Sequence, residues 1–322
     1  MSVLVIGAGL AGLACARGLA AAGLAVTVVD KARGPGGRLS TRRSAGRAFD
    51  HGAQYFRLRD ASLTPLLATL HAAGIVAPWR ARLVTLRDGG SHARDDAATR
   101  YVGVPGMSAV ARALGAALSI TYGSAVTALT RGADGWTATT DAGTALPGRF
   151  AAVVVATPAA QAVPLLAAAP ALATRVAAVE VDPCWATMVG FAAPLAVAID
   201  AAFVESGPLA WIARNSSKPE RPPDDAWVLH ASPQWSSLHL EDPPDTAAAA
   251  LLAAFAAALA RPLPTPRHVA AHRWRYARTR TPLGAAFLYD AQLGLGACGD
   301  WCLGATVECA LLSGAALADA MR

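Results

Sequence analysis

The sequence predicts an α/β fold in which a Rossmann-like domain is combined with a second, mixed-sheet α+β domain. Wholly apolar runs at residues 3–6 and 152–156 have the composition of strands buried on both faces of a parallel sheet, and residues 26–29, Val-Thr-Val-Val, form a further predicted strand. Between residues 160 and 282 the character changes, because prolines and tryptophans become frequent and short strand patterns alternate with loops. A strand and a helix then return near the end of the chain. The predicted domains are residues 1–75, 100–160 and 283–322 for the first, and residues 76–99 and 161–282 for the second.

The first predicted strand leads into a glycine motif that is typical of dinucleotide-binding sites. The motif is Gly7-Ala8-Gly9-Leu10-Ala11-Gly12, and the acid Asp30 follows about 20 residues later, at the end of the second strand. The first glycine permits a tight turn, the second lets a backbone approach a pyrophosphate, and the third lets the helix lie close to the strand. The Asp30 carboxylate can accept both hydroxyls of an adenosine ribose. The alternative is a βαβ unit whose glycines serve packing alone.

A glycine-rich basic loop, Lys31 to Arg43, follows Asp30 directly. A fold that binds only a nicotinamide dinucleotide has no need of this loop. Its backbone amides and Arg38 can hold the pyrophosphate and ribityl part of an extended flavin, and Gly36 and Gly37 permit close approach. A solvated basic loop is the alternative.

The segment Phe49-Asp50-His51-Gly52-Ala53-Gln54-Tyr55-Phe56 places small residues between aromatic ones. This pattern is expected where the backbone passes the edge of a flat ring. Gln54 and Tyr55 are therefore strong candidates for residues beside the ring.

The remaining elements follow from periodicity and turn residues. Predicted helices cover residues 61–73, 107–118, the segment from its cap at Asp245 to Pro262, and residues 306–321. Predicted strands cover residues 79–86, 119–129, 136–140 and 293–297, with turns at Asp88-Gly89 and Asp134-Gly135. The last helix begins beside Gly299-Asp300, where its partial positive charge would stabilise an anionic reduced flavin.

Composition excludes several other classes of protein. The chain has 322 residues, 54% hydrophobic and 16% charged, as in a compact globular protein. The net charge is +6, but the sequence contains no basic stripe with interleaved aromatic residues, so nucleic acid is not an expected partner. The apolar start has no basic region before it, so neither a signal peptide nor a membrane span is predicted, and a cytoplasmic location is expected. The five cysteines include no Cys-x-x-Cys pair, which predicts no disulfide framework and no metal site.

Candidates for the substrate side lie mainly in the second domain. Strand alternation places His272, Trp274 and Tyr276 on one face and two arginines on the other. The three residues form either an aromatic wall that faces a flat substrate or part of a packed sheet core. Further candidates, each with a structural alternative, are His230, Gln234, Arg214 and Asn215.

Four separated segments together resemble the flavin-binding pattern of the monoamine-oxidase-like flavoprotein superfamily. They are the glycine motif with Asp30, Gly36-Gly37-Arg38, Ala156-Thr157-Pro158, and Gly299-Asp300. A narrower resemblance to the bacterial renalase-like members rests on residues 31–38, 49–56, 211–219 and 298–302.

The resemblance implies FAD bound in extended form; non-covalent binding is expected, and covalent attachment stays open. It also implies a two-domain architecture similar to that of p-hydroxybenzoate hydroxylase, with the smaller mixed-sheet domain over the ring. Val126 would offer its backbone to the adenine, and Cys302 is the cysteine to check for a covalent link. The implied cofactor-binding residues are Gly7, Gly9, Leu10, Ala11, Gly12, Asp30, Lys31, Gly37, Arg38, Leu39, His51, Gly52, Ala53, Gln54, Val126, Thr157, Gly299, Asp300, Thr306 and Val307.

The resemblance further implies oxidation of 2- or 6-dihydro-NAD(P) to NAD(P)+, with O2 taking the electrons and yielding H2O2. A dihydropyridine expels hydride as its ring becomes aromatic, so stacking on the flavin is the main demand and no general base is required. Amine oxidases commonly have a lysine near the flavin. Here Lys31 lies beside the pyrophosphate loop and Lys218 in a proline-rich loop, so neither is expected at the ring.

Two alternatives stay open at this point. One is a flavin amine oxidase or desaturase acting on a small amine or cyclic substrate, and the other is a non-catalytic dinucleotide-binding protein. The expected partners are a small molecule and O2, and the chain is expected to be a monomer or a homodimer.

Overall fold

The structure is a computed structural model that describes residues 2–44, 46–87, 90–94 and 98–322. The strands, in chain order, are β1 (Ser2–Ile6), β2 (Ala25–Asp30), β3 (Arg42–Ser44), β4 (Arg47–Phe49), β5 (Val76–Pro78), β6 (Leu83–Arg87), β7 (Gly90–Ala93), β8 (Tyr101–Gly103), β9 (Ser119–Tyr122), β10 (Val126–Gly132), β11 (Gly135–Thr140), β12 (Ala152–Val155), β13 (Glu180–Gly190), β14 (Ala201–Val204), β15 (Leu209–Arg214), β16 (Ala226–Ala231), β17 (His268–Thr281), β18 (Leu288–Asp290) and β19 (Leu295–Ala297).

The α-helices are α1 (Leu10–Ala21), α2 (Thr64–Ala72), α3 (Ser108–Gly115), α4 (Ala159–Leu165), α5 (Pro170–Ala177), α6 (Pro233–Leu238), α7 (Pro244–Ala258) and α8 (Val307–Ala320). Short 3-10 helices cover Gly37–Leu39, Ala61–Leu63, Asn215–Ser217 and Asp300–Cys302.

The first sheet is Rossmann-like and has the strand order β18-β19-β12-β1-β2-β9. All neighbouring pairs are parallel except β18 and β19. Val3, Val5 and Val154 in its centre are fully buried, which explains why these strands are continuous apolar runs. Helices α1 and α8 pack together closely, because a Cβ on Gly314 would lie 2.1 Å from the carbonyl oxygen of Ala11.

The second sheet has the strand order β17-β13-β16-β15-β14-β6-β7. Its pairs are antiparallel except for β14 with β6, so the predicted mixed sheet is confirmed. Helix α7 covers this sheet with Leu251 and Phe255, both fully buried in its core. The residue bounds of the two domains stay a prediction.

The β3–β4 hairpin connects the two sheets. Fully buried Phe49 packs with Met188 and Val228 of the second sheet, and the chain then continues through residues 50–56 towards β8. The segment that was predicted to pass a flat ring therefore lies where the two sheets meet.

Several predicted elements were wrong in detail. Of the predicted strand at 79–86 only the second half is a strand, within β6 (Leu83–Arg87), and the one at 119–129 breaks at Gly123, whose φ is +70°. The residue before α7 is Pro243 rather than Asp245, which lies in the first turn without capping it. The predicted turn at Asp88-Gly89 lies outside the described residues.

Candidate cofactor and substrate site

A different physical reason explains the presence of glycine at each glycine position of the motif between β1 and α1. Gly7 has a φ of +111°, and a Cβ there would lie 2.7 Å from the carbonyl oxygen of Ala156. A Cβ on Gly12 would lie 2.0 Å from the carbonyl oxygen of Gly7. At Gly9, by contrast, no atom of the described residues apart from its chain neighbours comes within 4 Å of the Cβ position. The fold itself therefore does not require glycine at position 9, and the space above it can receive a ligand.

The N-terminus of helix α1 opens onto this space. Its N-cap is Gly9, no side chain caps it, and its first turn contains no acidic residue. The first N–H groups of a helix have no partner within the helix, and they attract anions together with the helix dipole. Leu10 and Ala11 are buried, so they contribute these backbone groups rather than their side chains.

The Asp30 carboxylate fastens the glycine motif to the end of β2. It accepts hydrogen bonds from the amides of Ala8 (2.6 Å) and Ala32 (2.7 Å). The carbonyl of Asp30 accepts from the amide of Ser124 (3.1 Å), which brings the start of β10 at Val126 to the same edge of the sheet. Each carboxylate oxygen retains a lone pair for a further donor, as a ribose hydroxyl would require.

The second glycine loop lies against the first. The Gly36 amide donates to the carbonyl of Ala8 (2.9 Å), and a Cβ on Gly37 would come within 4.0 Å of the Gly9 Cα. The side chain of Leu39 is buried in the core of the first sheet. Lys31, at the start of this loop, instead reaches outward to Gln161 Oε1 (3.2 Å).

Arg38 and Asp300, both predicted to contact the cofactor, bind one another. The guanidinium donates to both carboxylate oxygens, at 2.9 and 2.5 Å, and to the carbonyl of Ala277. Asp300 therefore offsets the charge of Arg38, while contact between Arg38 and the pyrophosphate stays a prediction. The Arg38 carbonyl also accepts from the Ala53 amide (2.8 Å), and it leaves no room for a Cβ on Gly52.

The ends of β12 and β19 complete this edge of the first sheet. The Trp301 indole donates to the carbonyl of Thr157 (3.0 Å), and the Gly299 amide donates to Ser313 Oγ (3.0 Å). Thr306 caps helix α8 by accepting from the Cys309 amide (3.1 Å), so the helix begins at Val307 as expected to within one residue.

A buried ionic network lies between the two sheets, centred on Asp50. Its carboxylate accepts from Lys218 Nζ (3.1 Å), Arg221 Nη2 (2.7 Å), Thr41 Oγ1 (2.7 Å) and the Met107 amide (3.0 Å). The side chains of Asp50, Lys218 and Arg221 have no exposed surface. Burial alone would raise the pKa of Asp50, but the charges of Lys218 and Arg221 outweigh it and lower the pKa to about 2.

Lys218 lies beside Gln54, one of the residues predicted to lie at the ring, although the sequence gave no reason to expect it there. Its ammonium donates to Asp50, to Gln54 Oε1 (3.2 Å) and to Asn215 Oδ1 (3.0 Å), so all three of its protons have acceptors. It also lies 5.5 Å from the centre of the Trp79 ring. Burial lowers the pKa of Lys218 to about 8, against the opposing effect of Asp50.

Histidines and a tryptophan form an aromatic wall beside this network, comprising His51, His230, His272 and Trp274. The His51 carbonyl accepts from the indole of Trp274 (2.9 Å) and lies 3.1 Å from His230 Nε2. The His51 ring is 4.9 Å from each of the rings of His272 and Trp274, which are 4.3 Å from one another. The predicted alternation along β17 is thereby explained, because Arg273 and Arg275 on the other face bind Glu241.

The histidines of the aromatic wall are neutral at physiological pH. Burial lowers the pKa of His51 to about 3 and that of His230 to about 4. Burial also lowers the pKa of His272, and Arg42 adds to this effect. A neutral imidazole with so low a pKa is a weak base, so the wall offers flat surfaces rather than proton acceptors.

Tyr55 belongs to a second aromatic group. Its ring lies 5.7 Å from that of Trp211 and 6.4 Å from that of Trp79, and the Arg100 guanidinium is 5.3 Å from its centre. Trp79, Arg100 and Tyr101 also line an adjoining cavity of about 630 Å³ beneath helix α2. Trp79 thus borders both this cavity and the ionic network.

Three candidate substrate residues lie elsewhere than predicted. Asn215 is fully buried and its amide bonds to the Ala48 carbonyl, the Asp50 amide and Lys218. Arg214 donates to the Leu195 carbonyl and lies 3.3 Å from Asp225. Gln234 is exposed at the start of α6, with no hydrogen bond to the aromatic wall in the described part of the chain. Asn215 and Arg214 are therefore structural, and Tyr276 stays a candidate on position alone.

Sequence reasoning did not single out Asp50, Arg221 or Trp79, and it discounted Lys218. No local pattern marks this network, since Asp50 and Lys218 are 168 residues apart. The available signal was the presence of a lysine in a chain whose 28 basic residues are almost all arginine.

Comparison with known protein families identifies both parts of the chain. Residues 5–70 match the NAD(P)-binding Rossmann-like domain, and residues 79–322 match the flavin containing amine oxidoreductase family. The chain belongs to the flavin-containing amine oxidoreductase family. It is an FAD-dependent oxidoreductase of the amine oxidase superfamily.

Solved structures share the fold across 99% of this chain. A putative protoporphyrinogen oxidase from Exiguobacterium sp. 255-15 is 14% identical with a TM-score of 0.81, and 99% of this chain and 98% of that one are covered. Wild-type putrescine oxidase bound to putrescine is 14% identical with a TM-score of 0.69, and 99% of each chain is covered. At these identities the similarity establishes the fold alone.

The residues of this flavin-containing oxidoreductase fit FAD. The open space at Gly9, the uncapped N-terminus of α1 and the free lone pairs of Asp30 offer what a pyrophosphate and a ribose require. Cys302 is buried, which raises the pKa of its thiol to about 12 and makes it a poor nucleophile. This agrees with FAD bound without a covalent link.

Membrane-spanning helices and clusters of metal ligands are absent from the described part of the chain. None of its helices has the length and apolar character that crossing a membrane requires. Its side chains also form no group of three or more potential metal ligands.

Proposed function

We propose that this enzyme oxidises dihydronicotinamide isomers, 2- or 6-dihydro-NAD(P), to NAD(P)+, in the manner of renalase-like enzymes. The substrate's ring carbon loses a hydride, the pyridine ring becomes aromatic, and no proton leaves the ring. FAD supplies the two-electron acceptor when bound, and O2 then takes the two electrons with two protons to give H2O2.

The observation that carries this proposal is the absence of an available base among the described residues around the aromatic wall. His51 and His230 have pKa values of about 3 and 4, and the Lys218 ammonium already has three acceptors. Asp50 is held ionised by two cations, and Asp300 is paired with Arg38. Oxidation of a dihydropyridine needs no base, whereas most other two-electron oxidations by flavins also remove a proton.

The flat surfaces of the aromatic wall supply the second requirement, which is orientation. A nicotinamide ring can stack on His272 or Trp274, whose positions are fixed by their contacts with His51. Holding the reacting carbon at van der Waals distance from an acceptor is the main contribution that a protein makes to hydride transfer. We propose that residues 51–54 and the glycine loops hold FAD so that its ring faces this wall.

Amine oxidation is the second candidate function, and one observation favours it. Lys218 lies buried beside Gln54, where the sequence gave no reason to expect a lysine. A putrescine oxidase shares the fold. Against this stands the charge of the site, since each carboxylate near the wall is already paired with a cation. A desaturase acting on a small cyclic substrate belongs to the same alternative.

Anaerobic stopped-flow absorbance tests the proposal. The purified holoenzyme is mixed separately with 2- and 6-dihydro-NAD(P), with ordinary NADH, and with a panel of amines that includes putrescine. Rapid bleaching of the flavin by the isomers alone is expected. Bleaching by amines alone would instead establish the second candidate, and bleaching by none of these compounds would contradict both.

A further inference from the structure

The β3–β4 hairpin carries two neighbouring arginines on opposite faces. In its register Arg42 pairs with Phe49 and Arg43 pairs with Ala48, and directly paired residues in an antiparallel hairpin project to the same side. Arg42 therefore shares a face with Phe49. Arg43 projects to the opposite side, where it lines a small cavity together with Ala48 and Pro105.

Phe49 locates the Arg42 face relative to the aromatic wall. Its ring stacks on that of His268, with centres 5.4 Å apart and planes 24° apart. His268 lies on β17 four residues before His272, so Arg42 lies beside the line of side chains that leads to the wall. Consistent with this position, Arg42 contributes to lowering the pKa values of His51, His268 and His272.

Arg42 is exposed and has no ion-pair partner in the described part of the chain. Arg47, on the same face of the hairpin, lies 3.8 Å from Asp224. The edge of the aromatic wall therefore carries positive charge next to neutral rings, and this combination suits a ligand with a flat ring joined to an anion.

We infer that Arg42 binds a phosphate of the dinucleotide substrate while the aromatic wall takes its ring. This inference rests on the proposed function for the identity of the ring. In a nicotinamide nucleotide only a ribose separates the ring from its phosphate, so both groups can be bound on one side of the hairpin. The guanidinium can donate two charge-assisted hydrogen bonds to a phosphate in a bidentate arrangement, whereas lysine acts on a phosphate as a point charge.

Equilibrium binding tests the inference without turnover. NAD+ is titrated into the oxidised holoenzyme, and binding is followed by the flavin difference spectrum and by calorimetry. The variants are R42Q, R42K and the matched control R43Q, which removes the same charge from the other face of the same strand. FAD content and melting temperature equal to those of the wild type establish that each variant is folded.

Loss of one charge-assisted hydrogen bond predicts a Kd for NAD+ that rises about 10- to 100-fold in R42Q. R43Q is expected to bind within about 2-fold of the wild type, since screening weakens the effect of a distant exposed charge. R42K is expected to lie between R42Q and the wild type. The cation 1-methylnicotinamide, which lacks phosphate, should bind R42Q at least as well as the wild type.

The outcomes separate this inference from the proposed function. Equal weakening in R42Q and R43Q, no weakening in R42Q, or no binding of NAD+ by the wild type would each overturn the role of Arg42. Weakened binding in R42Q alone supports it. If binding is weakened in R42Q alone but dihydronicotinamide isomers fail to bleach the flavin, the anion site stands and the proposed reaction fails.

Discussion

The cofactor edge of the first sheet and the ionic network between the sheets are built in opposite ways. The cofactor edge is built mainly from backbone amides, glycines and one carboxylate of the first 37 residues, and the ends of β12 and β19 complete it. The network consists of side chains from distant parts of the chain, with Asp50 bound to Lys218 and Arg221. The first region offers unsatisfied backbone groups to a ligand, whereas each charged side chain of the second already has a partner of opposite charge. The comparison indicates that FAD affinity and fold stability depend on separate residues.

Within the ionic network, the largest expected effect on stability comes from removing its carboxylate. D50N leaves two buried cations without a counter-charge, and it should lower the free energy of unfolding by about 3–5 kcal/mol. K218M leaves the ion pair of Asp50 and Arg221, whose charges cancel. It should therefore lower the free energy of unfolding by clearly less, about 1–2 kcal/mol. Urea unfolding of both variants measures the difference. Equal destabilisation by the two variants would contradict the idea that Asp50 is the counter-charge shared by both cations.

Alanine substitutions at two glycines of the cofactor edge should separate the requirements of folding from those of FAD binding. G12A forces a Cβ to 2.0 Å from the Gly7 oxygen and should prevent stable folding of the first sheet, seen as insoluble protein or a collapsed melting temperature. G9A places its Cβ in open space, so the apoprotein should melt within a few degrees of the wild type while FAD binding weakens at least about 10-fold. FAD titration by fluorescence quenching measures the second effect. Retention of FAD by G9A would contradict the proposed approach of the pyrophosphate.

The buried histidines predict how stability depends on pH. The pKa of His51, about 3, and that of His230, about 4, lie below the unfolded value of 6.5. The unfolded chain therefore binds more protons than the folded chain at pH values below about 6.5, and stability falls as the pH falls through this range. Thermal melts of wild type and H230N should show a smaller loss in the variant between about pH 6.5 and 4.5. If the melting temperatures of wild type and H230N fell in parallel with decreasing pH, the fold would not be holding His230 neutral.

The smallest expected effect concerns the N-terminus of α8. Thr306 Oγ1 accepts the hydrogen bond of the Cys309 amide, so T306A should destabilise the protein by about 1 kcal/mol. T306S retains the hydroxyl and serves as the control. A loss in T306S equal to that in T306A would assign the effect to the methyl group instead of the cap.

The sequence allowed prediction of the parts of the fold whose signals are local. Residues 3–6 and 152–155 were recognised as strands because both faces of each are buried, and the glycine motif because its spacing serves one turn. The break at Gly123 was missed, since alternation continues across it while the chain bonds instead to the end of β2.

The side chains of the site were harder to predict, because their partners are remote in sequence. His51 and the Trp274 indole that binds its carbonyl are 223 residues apart, and Lys218 depends on Asp50 in the same way. Asn215 had been considered a substrate residue for its polarity, yet that polarity is used to hold Ala48 and Asp50. Residue type alone does not distinguish a polar group that faces a ligand from one that satisfies the backbone.

The most direct test of the central claim is the pH dependence of hydride transfer. The anaerobic rate of flavin bleaching by 6-dihydro-NAD, protiated or deuterated at the reacting carbon, is measured between about pH 5.5 and 9.5 in wild type and K218M. If the aromatic wall contains no base, the bleaching rate should not change with pH and should show a primary isotope effect at every pH. The bleaching rate of K218M should likewise be independent of pH. A rate that rises with an apparent pKa near that of Lys218, about 8, and loses this dependence in K218M would contradict the account.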